Sequence, residues 1–300
     1  MSPKIKTFCE RLFSTAILLL LLGAALLWGE PAAYALFVCI LCNLTTIEWF
    51  NMLKKRPEQA QRRIILIAGL LYPWAQWLSL EQTRSRAAFF ALALAFPVFL
   101  TIVSLIREMA HPIEGDRALK RTGTTLTAFL YPVWMFAFTL PFIFSQSLGI
   151  MLALVLITKL TDIFAYVSGV LCGGRIFAEK SRIIPHISPK KTWEGLLGSF
   201  ILTAAAGYFL LKYLCGDVLF PAPPWAAAAG TSLLILPAIY MLLFILAVTG
   251  DLAGSLIKRS LNVKDSGSLL PGIGGIFDLI DSPAFTVSAF CILFMLTGQL

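Results

Sequence analysis

Residues 147–172 read SLGIMLALVLITKLTDIFAYVSGVLC, and this stretch decides the class of fold. Its only charged residues are Lys159 and Asp162. A helix needs roughly 20 mostly apolar residues to cross the hydrocarbon core of a bilayer. The stretch therefore predicts a transmembrane helix that carries two charged side chains.

The rest of the chain repeats this pattern. Hydrophobic residues make up 58% of the 300 residues and charged residues 13%, against roughly 25% charged in a soluble domain. The mean hydropathy is +0.84. The sequence therefore predicts an all-α polytopic integral membrane protein with about nine transmembrane helices. The predicted segments are about 12–29, 32–50, 64–80, 87–106, 124–144, 147–172, 195–214, 226–249 and 283–299.

The distribution of Lys and Arg predicts the orientation. If the N-terminus lies in the cytoplasm, 20 of the 24 Lys and Arg residues fall on the cytoplasmic side and three on the other. Positive residues favour cytoplasmic loops, so we expect a cytoplasmic N-terminus and a C-terminus outside. The net charge of +8 then reflects topology, and we expect no nucleic-acid partner.

Two predicted cytoplasmic loops are long, residues 173–194 and 250–282. Both combine Gly, Pro and Ser with charge, and long loops in compact proteins are often functional. The organisation we expect is one transmembrane domain over 1–300. Its helices over about 12–144 form a scaffold and lipid-facing part, and 147–300 is the catalytic motif region.

Charged side chains inside apolar segments are functional candidates, because a charge at the bilayer centre costs about 2.5–3.5 kcal/mol on insertion scales. Asp162 is one, with Tyr166 on the same helical face. Lys159 precedes Asp162 by three residues, so an internal ion pair is the alternative for both. Glu48, near the cytoplasmic boundary of its segment, is either functional or an interfacial carboxylate without a role.

A second candidate group follows the eighth segment in GDLAGSLIKR, residues 250–259. On a helix, Asp251, Ser255, Lys258 and Arg259 share one face, which would direct a carboxylate, a hydroxyl and two cations into one cavity. A basic helix end at the membrane surface would explain Lys258 and Arg259, but it leaves Asp251 unexplained.

The stretch PGIGGIFDLIDS, residues 271–282, places two carboxylates behind a glycine-rich turn. Asp278 and Asp281 would share a helical face and repel each other, unless a cation such as Mg²⁺ binds between or beside them. Capping of a helix ahead of Pro283 is a compatible alternative for Asp281. The absence of Cβ atoms would let backbone N–H groups approach an anion at three positions. These are Gly272, Gly274 and Gly275.

The other long loop contains SPKKTWEG, residues 188–195. Ser188 begins a turn, and Lys190 and Lys191 are adjacent cations suited to a phosphate clamp. The alternative is a positive cytoplasmic loop anchored in the interface by Trp193.

Together these stretches resemble the phosphatidate cytidylyltransferase family, also called CDP-diacylglycerol synthases. SLIKRSLNVKDSGSLLPGIGGIFDLID, residues 255–281, resembles the long signature of that family, and SPKKTWEG matches a second motif. Asp162 and Tyr166 look like part of a third. Two positions depart from the pattern, because the family usually has His at Ile273 and Arg at Leu279.

The resemblance implies that CTP and phosphatidate react to give CDP-diacylglycerol and pyrophosphate. It implies Mg²⁺ held by Asp251, Asp278 and Asp281, and leaves room for a second, monovalent cation. Lys258 and Arg259 join these aspartates as catalytic residues. Residues implied for substrate binding are Ser188, Lys190, Lys191, Ser255, Lys264, Asp265, Gly272, Gly274, Gly275, Asp162 and Tyr166.

The resemblance also implies a location and partners. We expect an active site on the cytoplasmic face of a bacterial inner membrane, where CTP arrives from solution and phosphatidate from the surrounding bilayer lipid. A homodimer is allowed, since Gly169 and Gly173 form a small-xxx-small pattern.

Two other functions are compatible with parts of the sequence. A related membrane enzyme could use CTP on another lipid, as a polyprenol kinase or an isoprenoid-ether cytidylyltransferase does. A transporter would also explain many spans with buried charges, but it predicts polar residues near the midplane of several helices.

Overall fold

The computed structural model describes residues 30–55, 60–83, 85–112, 115–144, 148–177, 181–214, 235–271 and 274–296. The first predicted segment, 12–29, lies outside these residues. The helices of the described part are α1 Pro31–Met52, α2 Arg62–Thr83, α3 Arg86–Met109, α4 Arg117–Phe129, α5 Leu140–Phe144, α6 Leu148–Cys172, α7 Trp193–Leu214, α8 Ile235–Ser260 and α9 Phe277–Leu296.

The predicted class is confirmed: the chain is an all-α polytopic integral membrane protein. Six helices of the described part are long and apolar enough to cross a membrane. They correspond to α1, α2, α3, α6, α8 and α9.

One predicted segment, 124–144, is not a single straight helix. After α4 the chain forms a π-helical turn over Leu130–Trp134, in which Tyr131 is extended (φ −118°, ψ 121°). Tyr131 precedes Pro132, and a residue before proline is sterically disfavoured in the α region. The sequence therefore breaks the helix here.

The chain divides into two compact units. The first consists of the described residues of Met1–Phe144 with Ser260–Ile280. Part of its core is aromatic, with Tyr72 edge-on to Phe129 at 5.2 Å and Phe129 stacked on Phe96 at 5.2 Å between ring centroids. The rings join α2, α3 and α4, which fixes these helices against each other.

The second unit consists of the described residues of Ser145–Arg259 with Asp281–Leu300. Close approach of α6 and α7 needs small residues, because a Cβ on Gly195 would lie 2.7 Å from the Ala165 carbonyl oxygen and 3.2 Å from the Gly169 Cα. The pattern that includes Gly169 thus serves packing inside this chain, and a homodimer stays a prediction.

The loop predicted over 173–194 contains a hairpin that an all-α prediction does not include. Strand β1 Arg182–Ile184 pairs antiparallel with β2 Ser188–Thr192, with Arg182 opposite Thr192 and Ile184 opposite Ser188. Strand β2 leads directly into α7 at Trp193. The hairpin holds the first half of SPKKTWEG in a fixed register.

The other predicted loop, 250–282, is shorter than expected. Helix α8 continues to Ser260 and α9 already begins at Phe277, so the connection spans only 261–276. Helix α8 continues through Asp251, Ser255 and Lys258, which lie beyond the predicted end of the apolar segment at residue 249. Their polar side chains lower the local hydropathy, so the hydropathy pattern ends the segment too early.

Candidate active site

Three carboxylates come together in the second unit, each from a different helix. Asp162 lies on α6, Asp251 on α8 and Asp281 on α9. The Lys159 Nζ atom lies 3.6 Å from Asp162 Oδ2 and 3.8 Å from Asp281 Oδ1. The internal pair of Lys159 with Asp162 is thus confirmed, and Asp281 shares the same ammonium group.

Two further cations complete this carboxylate cluster. The Lys258 Nζ atom lies 3.9 Å from Asp281 Oδ2, and Lys191 forms a direct ion pair with Asp251. The side chain of Asp281 is 5% exposed, so its charge depends on these neighbours rather than on water. The cluster brings together side chains from β2, α6, α8 and α9.

Close packing of α8 on α9 places Asp251 near Asp281. A Cβ on Gly250 would lie 2.9 Å from the Ser282 Cα. Ser282 donates its backbone N–H to Asp281 Oδ1 at 2.7 Å, and its Oγ lies 3.4 Å from Asp162 Oδ2. The sequence reasoning did not assign a role to Ser282; its position directly after Asp281 was the available signal.

The residues of the SPKKTWEG stretch have different surroundings. Lys191 reaches Asp251, whereas Lys190 and the Pro189 before it are exposed. Ser188 is half-buried at the start of β2. A phosphate clamp by both lysines stays a prediction, with Lys191 the one that lies in the cluster.

Glu194, at the end of this stretch, holds the preceding loop together. Its Oε1 accepts the backbone N–H groups of Gly174 at 3.0 Å and Phe177 at 3.1 Å, and its Oε2 accepts the Ser181 hydroxyl. Burial raises the pKa of Glu194, but these hydrogen bonds outweigh it and lower the pKa to about 2. An ionised Glu194 therefore organises residues 174–177 and Ser181.

In the first unit, the connection 261–276 folds around two other carboxylates. Asp278 Oδ2 accepts the backbone N–H groups of Ser266 at 3.1 Å and Gly275 at 2.9 Å. Glu48 accepts the N–H groups of Ile276 at 2.8 Å and Phe277 at 2.9 Å. Of the three glycines predicted to offer N–H groups to an anion, Gly275 thus donates to the protein's own Asp278.

The glycines of the loop fit this arrangement. Gly274 has φ +124°, and a Cβ there would lie 2.5 Å from Asp278 Oδ2. Leu270 and Gly274 exchange two backbone hydrogen bonds of 2.9 Å, which close the turn. Gly272 and Ile273 lie outside the described residues. A phosphate contact at Gly272, Gly274 or Gly275 stays a prediction.

The remaining predicted residues differ in their exposure. Lys258 is 9% exposed, whereas Tyr166 on α6 is 65% exposed. Ser255 is half-buried, and Arg259, Lys264 and Asp265 are exposed. Their substrate contacts are not tested by this arrangement.

The carboxylate cluster suits a cation. Among the described residues, no three His, Cys, Asp or Glu side chains lie close enough together to hold a metal ion. The donor chemistry fits nonetheless, because carboxylate oxygens are the ligands of hard divalent cations. The ammonium group of Lys159 already lies between Asp162 and Asp281, where two carboxylates share one positive charge.

Known proteins resemble this chain over part or most of its length. A relative from Pseudomonas aeruginosa named phosphatidate cytidylyltransferase is 28% identical over 96% of this chain and 97% of its own length. A relative from Mycobacterium leprae named phosphatidate cytidylyltransferase is 35% identical over 44% of this chain. A relative from Arabidopsis thaliana named phosphatidate cytidylyltransferase 4, chloroplastic, is 40% identical over 42% of this chain. Those matches span only about a third of the relatives' own lengths, 36% and 27%.

The match at the level of the family is broader than these partial alignments. The sequence model of the cytidylyltransferase family matches residues 9–297, which include the carboxylate cluster, the SPKKTWEG stretch and the connection 261–276. The chain therefore belongs to the cytidylyltransferase family.

Proposed function

We propose that this chain is a phosphatidate cytidylyltransferase, a nucleotidyltransferase that makes CDP-diacylglycerol and pyrophosphate from CTP and phosphatidate. The observation that carries the proposal is the carboxylate cluster, in which Asp162, Asp251 and Asp281 meet Lys159, Lys191 and Lys258. Such a cluster supports a reaction between two anions, since it offers both cations for phosphate oxygens and carboxylates for a metal.

The reaction needs positioning and charge neutralisation more than proton transfer. A phosphate oxygen of phosphatidate forms a bond to the α-phosphorus of CTP, and the bond from that phosphorus to the α,β-bridging oxygen breaks. The electron pair leaves with pyrophosphate. The attacking phosphate is already ionised near pH 7, so no side chain has to act as a strong general base.

The side chains act in this step by binding and orientation. Lys191 and Lys258, with Lys190 and Arg259 beside them in the sequence, hold phosphate oxygens and offset the repulsion of the two reactants. Asp251 and Asp281 would hold Mg²⁺, which would neutralise charge on the nucleotide phosphates. The role of Asp278 as a further ligand, and a second, monovalent cation, stay predictions.

The proposed orientation places this chemistry on the cytoplasmic side of a bacterial inner membrane. The uneven distribution of Lys and Arg supports it. CTP then arrives from the cytoplasm, and the acyl chains of phosphatidate stay in the bilayer.

Labelled CTP separates the proposal from its alternatives. Purified protein in detergent is incubated with phosphatidate, Mg²⁺ and CTP that carries ³²P at either the α or the γ position. We expect α-label in a lipid product and γ-label in pyrophosphate. Label from the γ position in the lipid would identify a CTP-dependent kinase instead, and no lipid label from either position would refute the proposal. Asp281→Asn serves as the inactive control, inserted and folded but without turnover.

A further inference from the structure

Glu48 is a buried carboxylate that the proposed chemistry does not use. It lies near the end of α1 and is 6% exposed. A buried ionised carboxylate is stable only where donors replace its water. The donors around Glu48 therefore indicate which part of the structure this carboxylate stabilises.

Among the described residues, the donors of Glu48 come from the connection 261–276 and the start of α9. Oε1 accepts the N–H of Ile276 at 2.8 Å, and Oε2 accepts the N–H of Phe277 at 2.9 Å. The Ser266 hydroxyl lies 3.0 Å from Oε2. The first N–H groups of a helix have no partner within it, and a carboxylate there also meets the positive end of the helix dipole. Glu48 thus caps α9 from a different helix.

The loop is shaped around this carboxylate. A Cβ on Gly267 would lie 2.7 Å from Glu48 Oε1, and a Cβ on Gly275 would collide with both Glu48 and the Ser266 hydroxyl. Neither position can carry a side chain while Glu48 keeps its place. These two glycines are therefore required by the position of Glu48, which lies more than 200 residues earlier in the chain.

The neighbouring residues reinforce the same contact. Trp49 packs edge-on against Phe277, with ring centroids 5.6 Å apart, and Tyr131 does so at 5.7 Å. Phe277 is fully buried. Ser266 connects Glu48 to Asp278, because its Oγ also lies 2.9 Å from Asp278 Oδ2.

We propose that Glu48 is a positioning residue, which fixes the connection 261–276 and the first turn of α9 and thereby orients Asp278. The proposal rests on the proposed function for its effect on turnover, but its effect on the loop is independent of that function. Glu48 itself need not touch either substrate.

Glu48→Gln tests the proposal, with Glu108→Gln as the matched control. Glu108 is a half-buried residue of the first unit whose side chain is 7% exposed, bound by Gln61 at 2.6 Å and by Arg121 at 3.4 Å. Hydrogen–deuterium exchange of the full-length protein in detergent reports on the amides of Ile276 and Phe277. We expect Glu48→Gln to speed their exchange about tenfold or more, since hydrogen bonds to charged groups are the stronger ones. We expect Glu108→Gln to leave it unchanged.

Kinetics supply the second readout. Glu48→Gln should lower kcat about tenfold and leave the KM for CTP within about twofold, as expected when a catalytic group is misplaced but nucleotide binding persists. Unchanged exchange at Ile276 and Phe277 would overturn the proposal, and so would faster exchange with an unchanged kcat. If wild-type protein makes no CDP-diacylglycerol, the proposed function fails while the exchange result still tests the loop contact.

A second variant tests the proposal even if Glu48→Gln does not fold. Gly267→Ala keeps the carboxylate but pushes a methyl group against it. Gly123→Ala is its control, because a Cβ there meets nothing within 4 Å. Gly267→Ala should speed exchange at Ile276 and Phe277 and lower kcat, and Gly123→Ala should do neither. Equal behaviour of the two alanine variants would overturn the proposal.

Discussion

Gly250 of α8 and Ser282 of α9 are packed so closely that a Cβ on Gly250 would lie 2.9 Å from the Ser282 Cα. This contact brings Asp251 and Asp281, the adjacent residues, into one cluster. We predict that Gly250→Ala forces the two helices apart and lowers kcat by more than tenfold. Overpacking of this kind typically costs about 1–3 kcal/mol of stability. Activity and thermal unfolding in detergent measure both effects, and an activity equal to that of Gly123→Ala would contradict the prediction.

Lys159 supplies the positive charge between Asp162 and Asp281. Without it, the two carboxylates repel each other and depend more on another cation. We predict that Lys159→Met lowers the Tm in EDTA, and that Mg²⁺ raises the Tm of this variant more than that of the wild type. Lys120→Met is the control, since the pair with Asp116 is exposed (70% and 67%) and such pairs contribute little. Equal Mg²⁺-dependent shifts in Lys159→Met and the wild type would show that Lys159 does not neutralise the cluster.

Lys190 and Lys191 are adjacent but differ in their surroundings. Lys191 forms an ion pair with Asp251, whereas Lys190 is exposed. We predict that Lys191→Met lowers kcat/KM for CTP by about 100-fold, or about 2.7 kcal/mol of transition-state stabilisation. Lys190→Met should lower it by less than about tenfold. Steady-state kinetics with varied CTP distinguish the two, and a larger loss in Lys190→Met would reverse their assigned order.

Glu194 predicts a pH dependence of stability. Its pKa of about 2 in the folded protein is below the value of about 4.3 for an unfolded chain. A lowered folded-state pKa stabilises the protein above the unfolded pKa, and this contribution disappears as the pH falls through the folded pKa. Glu194→Gln should therefore have a lower Tm than the wild type at pH 7.

The difference in Tm should shrink as the pH falls from about 4.3 towards 2. Ser181→Ala, which removes one donor to Glu194, should show a smaller effect in the same direction. Scanning calorimetry in detergent across this range is the measurement. A difference in Tm that does not change with pH would show that the Glu194 charge does not stabilise the loop.

The local features of this protein were predictable from its sequence, because they depend on short-range periodicity. Apolar length predicted the spanning helices of the described part, and the three-residue spacing of Lys159 and Asp162 gave their ion pair as one of two alternatives. The helical spacing of Asp251 and Lys258 likewise agrees with α8.

The long-range contacts were not predictable in the same way. Glu48 binds N–H groups that lie 228 and 229 positions away, and no local pattern specifies which loop a buried carboxylate caps. The glycines of the loop predicted an anion nearby, but their spacing does not distinguish a bound phosphate from the Glu48 and Asp278 carboxylates. The hairpin of β1 and β2 was missed because such short strands show little alternation of apolar and polar residues.

Two connecting segments of this membrane protein are thus each held by a buried glutamate. Glu194 binds Gly174, Phe177 and Ser181, and Glu48 binds Ser266, Ile276 and Phe277. Ordering a loop costs conformational entropy whenever it happens. These contacts form within the folded chain itself. If the chain has the proposed activity, substrate binding would therefore not have to supply that free energy at each turnover. A preorganised surface of this kind predicts a small entropic penalty for nucleotide binding, in contrast to a site whose loops close only around CTP.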